Sequence, residues 1–384
     1  MPGVAEKPVR RMEIESALRR LFRSDAVQAA SWSSQRLPYL QYRPGRDIQR
    51  VMGMAVVSGR TVRWSAVVKR LGDPGSGPRA AEAAQGARRE LQAYTSGLLD
   101  GGLVGIVAPR LLGLFQHPDG TALWLEDVAD AYGGRWPLSR FRLAACHLGQ
   151  FNGAYLVRRA VPADPWLSLD WAHAQSDPAA ARLASERIAT AWAQPVVRAM
   201  LPATLDAPLQ RLLHDQESFV GALERLPITL CHHDAAQANL VARRSSNGVE
   251  ETVALDWEEI GPGAIGAEIA TLVFGSLRRG DLDVEQTDHL DRLVFGGYLD
   301  GLRDAGWSGD PRLARFGYAA AVALRWYLPT GLIRTVVEDP LRTTVVEATG
   351  LPLDEFVRRR LALTDFLLAR ADEARQLGEQ LGLL

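Results

Sequence analysis

Cysteine is nearly missing. Cys146 and Cys231 are the only two, and they lie far apart. Such a pair makes neither a disulfide framework nor a zinc pattern, and it fits a reducing cytosol. An excess of one charge is missing as well. Lys and Arg number 44 against 45 Asp and Glu, a formal net charge of -1, so the basic face of a nucleic-acid binder is not expected. No apolar run approaches the roughly 20 residues of a membrane span. The N-terminal stretch mixes Arg10, Arg11, Arg19 and Arg20 with Glu6, Glu13 and Glu15. A transit peptide is poor in acids and a secretory signal has an apolar core, so neither is read here. The expectation is a cytoplasmic chain with no membrane or nucleic-acid partner. No internal repeat is found, and the residues carry no mark of an oligomeric state. The low-complexity stretch Gly72-Asp-Pro-Gly-Ser-Gly-Pro78 reads as a loop.

The chain's 384 residues exceed one core of ordinary size, which predicts two lobes. Met12 to Phe22 has apolar residues at helical spacing and reads as an amphipathic helix packed on the body. Strand signals follow at Tyr39–Tyr42, Arg50–Val57 and Thr61–Arg70, with a hairpin turn at Ser58-Gly59-Arg60. Arg79 to Leu99 is rich in Ala, Glu and Arg and predicts a helix. Arg110–Gln116 and Thr121–Leu125 form a further hairpin around His117-Pro-Asp-Gly120. From Pro137 the periodicity turns helical, through Leu138, Phe141, Ala145, Leu148, Phe151, Asn152 and Tyr155. Helices are also predicted at Ala179–Met200, Leu205–Leu226, Ile265–Arg278, Glu285–Ala305, Arg312–Leu328 and Leu353–Leu377.

Two segments carry chemistry. Ile228–Cys231 is a short apolar strand that runs into His232-His-Asp-Ala-Ala-Gln-Ala-Asn239. Val253-Ala-Leu-Asp-Trp-Glu258 is a second strand ending on Asp256. Strands that each deliver a carboxylate to a loop suit a hard divalent cation such as Mg²⁺, which binds one or two protein groups plus phosphates. Upstream, Lys69 lies near the end of Ser65-Ala-Val-Val-Lys-Arg-Leu71, and a helix follows with Glu90 in Ala87-Arg-Arg-Glu-Leu-Gln-Ala-Tyr94. Glu82 competes with Glu90 for the lysine.

These residues resemble the aminoglycoside phosphotransferase and choline kinase superfamily, a small-molecule branch of the protein-kinase-like fold. The resemblance implies an α+β, bilobal chain. Its small N-terminal lobe, residues 1–127, would hold an antiparallel sheet and a helix. Its larger, mainly helical lobe, residues 128–384, would hold the catalytic and substrate machinery. It implies Asp234 as catalytic base, His232 as the residue shaping its loop, and Asn239 and Asp256 as metal ligands. Lys69, oriented by Glu90, would reach the ATP phosphates. Glu126 and Val128 would lie at the hinge, where backbone groups meet adenine. The cofactors implied are ATP and Mg²⁺, and the partner is a small-molecule hydroxyl compound. Transfer to a peptide Ser or Thr, and a catalytically silent nucleotide-binding module, are the alternatives.

The chain departs from the pattern in three places. His233 stands where aminoglycoside kinases usually have Gly. No Gly-rich G-x-G-x-x-G loop precedes Lys69; Ser31-Trp-Ser-Ser34 and Arg43-Pro-Gly-Arg46 are the candidate phosphate-covering turns. Glu268 stands where the family often has Asp, in the helix expected to support the catalytic loop. Gly261-Pro-Gly-Ala-Ile-Gly266 spells a dinucleotide fingerprint, but no second strand completes a βαβ unit and Pro262 has no N–H to offer. Glu258 and Glu259 beside the site would suit a cationic substrate, as acidic side chains do in aminoglycoside kinases, but a solvated loop face is the favoured reading. Trp166 and Trp171, on a loop expected near the substrate, could stack on a ligand or belong to the core, with core favoured.

Overall fold

The alternating residues of Arg50–Arg70 become the centre of a five-stranded antiparallel sheet. Residues 9–37, 46–100, 103–245, 248–280 and 282–384 are described by the computed structural model of the chain. The expected strand at Tyr39–Tyr42 and most of the turn Arg43–Arg46 fall outside them. Strands β1 (Val27–Arg36), β2 (Arg46–Val57), β3 (Arg60–Gly72), β4 (Ile106–Val107), β5 (Leu111–His117) and β6 (Gly120–Glu126) come in chain order, and the sheet runs β1-β2-β3-β6-β5. Ser58 and Gly59 both take positive φ, the backbone a two-residue hairpin between twisted strands demands. Ser31–Ser34 is not a turn but part of β1, paired with Val51–Met54 of β2.

Contacts divide the described chain into two units. The first takes in the N-terminal residues to Leu103, then Val107–Gly133, and also Val241–Glu258. The segment carrying Asp256 therefore returns to the sheet unit, which a single cut between 127 and 128 does not capture. Helix α1 (Arg11–Phe22) lays Ile14, Ala17 and Leu18 on one face of the sheet, against Val51, Ala66, Val68 and Trp124. Glu13 enters this apolar layer because the Trp124 indole N–H donates to it at 3.2 Å; a buried carboxylate needs such a partner. Helix α2 (Pro78–Thr95) follows β3. Strands β8 (Leu240–Arg244) and β9 (Glu250–Ala254) pair within the same unit.

The second unit is mainly helical. It holds α3 (Leu138–Val157), α4 (Trp171–Gln175), α5 (Pro178–Ala191), α6 (Pro195–Met200), α7 (Asp206–His214), α8 (Gln216–Glu224), α9 (Glu268–Arg279), α10 (Thr287–Asp304), α11 (Pro311–Ala323), α12 (Tyr327–Val337), α13 (Asp339–Thr349) and α14 (Leu353–Leu381). Three long expected helices are divided. Pro195 lacks the N–H that would continue α5 and instead opens α6. Asp215 separates α7 from α8, and residues 324–326 separate α11 from α12. Strand β7 (Ile228–Cys231) pairs antiparallel with β10 (Gly261–Ala264), Gly261 opposite Cys231. An antiparallel partner is incompatible with a dinucleotide-binding βαβ unit, as the missing second strand had indicated.

Candidate functional site

In the first unit, strand alternation sets the lysine. Trp64, Ala66 and Val68 point to the core under α1, so Lys69 points to the other face of β3. There its ammonium lies 2.6 Å from Glu90 Oε1 and 2.9 Å from Asp256 Oδ1. Glu82 is exposed, which settles the competition in favour of Glu90. Burial lowers the Lys69 pKa, but the charges of Asp256 and Glu90 outweigh it and leave the pKa above its ordinary value. Burial raises Glu90, and Lys69 opposes that rise. The lysine is thus a fixed cation, and a fixed ammonium is suited to polyphosphate oxygens.

Asp256 follows β9 with φ of 62°, a left-handed turn that Asp tolerates better than most residues. Three bonds fix the turn. The Trp257 indole N–H donates to Ala254 O at 2.9 Å. The Glu258 carboxylate pairs with the Arg46 guanidinium. The Glu258 carbonyl accepts from Arg89 Nη1, one position before Glu90 on α2. Arg46 also reaches Asp256, Nη1 to Oδ1 at 3.8 Å. Glu258 is 0% exposed, so the expected solvated face is wrong for this residue; its arginine partner makes the burial tolerable. Glu259 is half-buried.

Glu126 ends β6. Its backbone N–H donates to Arg110 O at 3.0 Å, and its carboxylate pairs with Arg110 at 3.3 Å and Arg243 at 3.6 Å. Asp127 pairs with Arg50 at 2.8 Å. Val128 is half-buried.

In the second unit, His232, Asp234 and Asn239 lie together on the loop after β7. Asn239 Nδ2 donates to Asp234 Oδ2 at 2.8 Å and to the Asp234 carbonyl at 3.0 Å. The fully buried His232 accepts the Asp234 N–H on Nδ1 at 3.3 Å. Glu268, at the start of α9, holds the loop from below. Its carboxylate accepts the His232 N–H at 2.6 Å and the His233 N–H at 3.1 Å. Burial pushes this carboxyl up to about 7, against hydrogen bonds from the His232 backbone, the Asn152 side chain and the His233 backbone.

His233 takes φ of 65°, the left-handed region that glycine adopts most readily. Its ring stacks on Trp171 with centroids 4.7 Å apart and planes 9° apart. Its Nε2 lies 3.0 Å from Pro262 O. The ring also runs close to Gly263, where an added Cβ would fall 2.5 Å from His233 Cε1 and 2.8 Å from Cys231 Sγ. Trp171 therefore packs on its own chain, while Trp166 is half-buried. Asn152 on α3 completes the support. It donates to Leu230 O at 2.8 Å and accepts from the Tyr298 hydroxyl at 2.8 Å.

The sequence offered Arg46 only as the end of a candidate phosphate-covering turn, and it did not single out Arg89 or Tyr298. A lone arginine at a strand start carries no signal. An asparagine on the apolar face of a helix, as Asn152 is, carries one, because a buried amide must find partners.

Among the described residues no three His, Cys, Asp or Glu side chains are grouped as metal ligands, and no helix is long and apolar enough to cross a membrane. The sequence matches no protein-family model and no characterised protein sequence. Solved structures do match. An aminoglycoside phosphotransferase from Alicyclobacillus acidocaldarius superposes with a TM-score of 0.57 at 15% identity, over 98% of both chains. An amicoumacin kinase in complex with AMP-PNP, Ca²⁺ and Ami gives 0.52 at 11% identity, over 93% of this chain and 96% of that one. A choline kinase from Cryptosporidium parvum gives 0.51 at 12% identity, over 97% and 98%. The chain has the α+β, protein-kinase-like fold of the aminoglycoside phosphotransferase and choline kinase structures.

Proposed function

We propose that the chain is an ATP-dependent phosphotransferase that moves the γ-phosphoryl group to a hydroxyl of a small molecule. The observation that carries this reading is the buried Lys69 held between Glu90 and Asp256. Phosphoryl transfer asks little covalent work of a protein and much positioning, and a fixed cation beside a carboxylate supplies that. The kinase-like fold supports the reading, as does the AMP-PNP bound to the amicoumacin kinase.

Lys69 orients the α- and β-phosphates. Asp234 takes the proton of the acceptor hydroxyl and aligns its oxygen; Asn239 fixes the carboxylate and His232 the backbone of the same residue. Adenine pairs with the backbone of Glu126–Val128. Because the Glu126 N–H already donates to Arg110, the Glu126 carbonyl and the Val128 N–H are the groups assigned to it. Asp256 and Asn239 would hold Mg²⁺. The donors fit, since Asp256 offers hard oxygen and already draws two cations, and phosphates would complete the shell. When bound, Mg²⁺ neutralises charge on the β- and γ-oxygens. Aminoglycosides, sugars and amino alcohols are the acceptor classes, in keeping with the acceptors in the names of the matched structures.

The test is Mg²⁺-dependent ATP consumption with pooled hydroxyl compounds. One pool should stimulate turnover, and Asp234→Asn should lower it by roughly 10²–10⁴-fold while ATP still binds. Binding of Mg·ATP without turnover by any pool would point to a peptide acceptor or a silent module. Unchanged turnover in the variant would remove Asp234 from its role.

A further inference from the structure

The first unit buries six charged side chains in one cluster. Arg46, Lys69 and Arg89 face Glu90, Asp256 and Glu258. The side chains of Arg46, Lys69, Glu90, Asp256 and Glu258 are at most 10% exposed. Among these described residues three cations accompany three anions, with Arg89 meeting the Glu258 carbonyl. Arg46 is the member whose guanidinium spans two carboxylates, Asp256 and Glu258. Helix α2 makes room for that pair. A Cβ at Gly86 would lie 3.1 Å from Glu258 Oε2 and 3.3 Å from Arg46 Nη2. Glycine inside a helix is unfavourable, and here the bare backbone lets the ion pair sit against α2.

We infer that Arg46 is the resident counter-cation of Asp256 and Glu258, so that the chain takes up a divalent cation only together with nucleotide. The inference rests on the phosphotransferase reading. Without Arg46, Glu258 would lose its counter-charge and Asp256 would keep Lys69 alone, so the two buried carboxylates would hold one unbalanced negative charge that draws a bare divalent ion. With Arg46 in place, the ion must displace a charge already paired at close range in a medium of low polarity. Nucleotide phosphates change the balance, because they offer the guanidinium an alternative anion that suits its planar fork. Arg46 then passes from Asp256 to a phosphate oxygen, and Asp256 is released to the metal. This gives Arg46 a phosphate-binding duty in a chain whose sequence has no Gly-rich loop ahead of Lys69.

The experiment measures Mn²⁺ binding to the full chain by electron paramagnetic resonance, with and without AMP-PNP. Without nucleotide, R46Q should bind Mn²⁺ at least about tenfold more tightly than the wild type, since one buried positive charge is gone. With AMP-PNP, R46Q should bind nucleotide more weakly than the wild type. R46K keeps the charge but not the fork. It should exclude free Mn²⁺ as the wild type does, yet bind AMP-PNP more weakly. Equal affinity of wild type and R46Q for free Mn²⁺ overturns the inference. So does R46K behaving as R46Q, which is what a purely structural arginine predicts. Failure of the wild type to bind Mn²⁺ with AMP-PNP would instead overturn the phosphotransferase reading, and this inference with it.

Discussion

Glu268 should make the protein less stable as pH rises from acid to neutral, the reverse of the usual behaviour of a paired carboxylate. The side chain is 1% exposed, and burial holds its pKa at about 7 rather than the ordinary 4.5. Between those values the folded chain keeps a proton that the unfolded chain has lost. Stability therefore falls as pH climbs through that window and levels off above about 7. The full shift corresponds to about 3 kcal/mol, and about 2–3 kcal/mol of it is expressed between pH 5 and 8. Glu268→Gln removes the titration and keeps one carbonyl oxygen for the loop N–H groups. Urea unfolding of both proteins at pH 5 and pH 8 isolates the effect, because every other titrating group is shared. The stability of the wild type relative to E268Q should drop by about 2–3 kcal/mol on going to pH 8. A difference that stays flat, or that grows with pH, would show that the two loop N–H bonds dominate over burial, and the reasoning would be wrong.

Lys69→Met should destabilise the first unit by about 3–5 kcal/mol, because it leaves two buried carboxylates without their ammonium; adding Glu90→Gln should recover part of the loss, and a double-mutant cycle with no coupling would contradict the pairing. Gly86→Ala should not deliver the gain of about 1 kcal/mol expected of this exchange inside a helix, because the new methyl meets Glu258 and Arg46; a higher melting temperature would show that the pair yields easily. Trp171→Ala should cost about 3–5 kcal/mol of stability while Trp171→Phe, which can still stack on His233, should cost clearly less; equal losses in urea midpoints would deny the stack its role.

Much of the site was legible because its chemistry is local in sequence. His232, Asp234 and Asn239 sit within one loop, and their mutual bonds follow from that spacing. Lys69 and Glu90 were legible from a strand and the helix after it. That Lys69 faces away from the core followed only once Trp64, Ala66 and Val68 were seen to pack in it. The pairing of Arg46 with Glu258 was not legible. Both are charged residues in loop-flanking positions, where solvent is the ordinary expectation, and only the fold brings them together. Helix divisions were missed for a related reason. Leu205–Leu226 keeps a helical period through Asp215, so periodicity alone does not mark the break between α7 and α8. The strand β1 was missed because its burial is irregular, with Ser31–Ser34 on a mostly exposed edge.

The His233 ring has a consequence for how this sequence can change. It stacks on Trp171 and runs close to the bare backbone of Gly263. A side chain at 263 would meet both His233 and Cys231, its Cβ falling 2.5 Å from His233 Cε1 and 2.8 Å from Cys231 Sγ, and a glycine at 233 would leave Trp171 without its stacking partner. The three positions form one heritable unit spread over more than 90 residues of sequence. A change at 233 or 263 alone should therefore cost stability, and substitutions there should be tolerated only in combination.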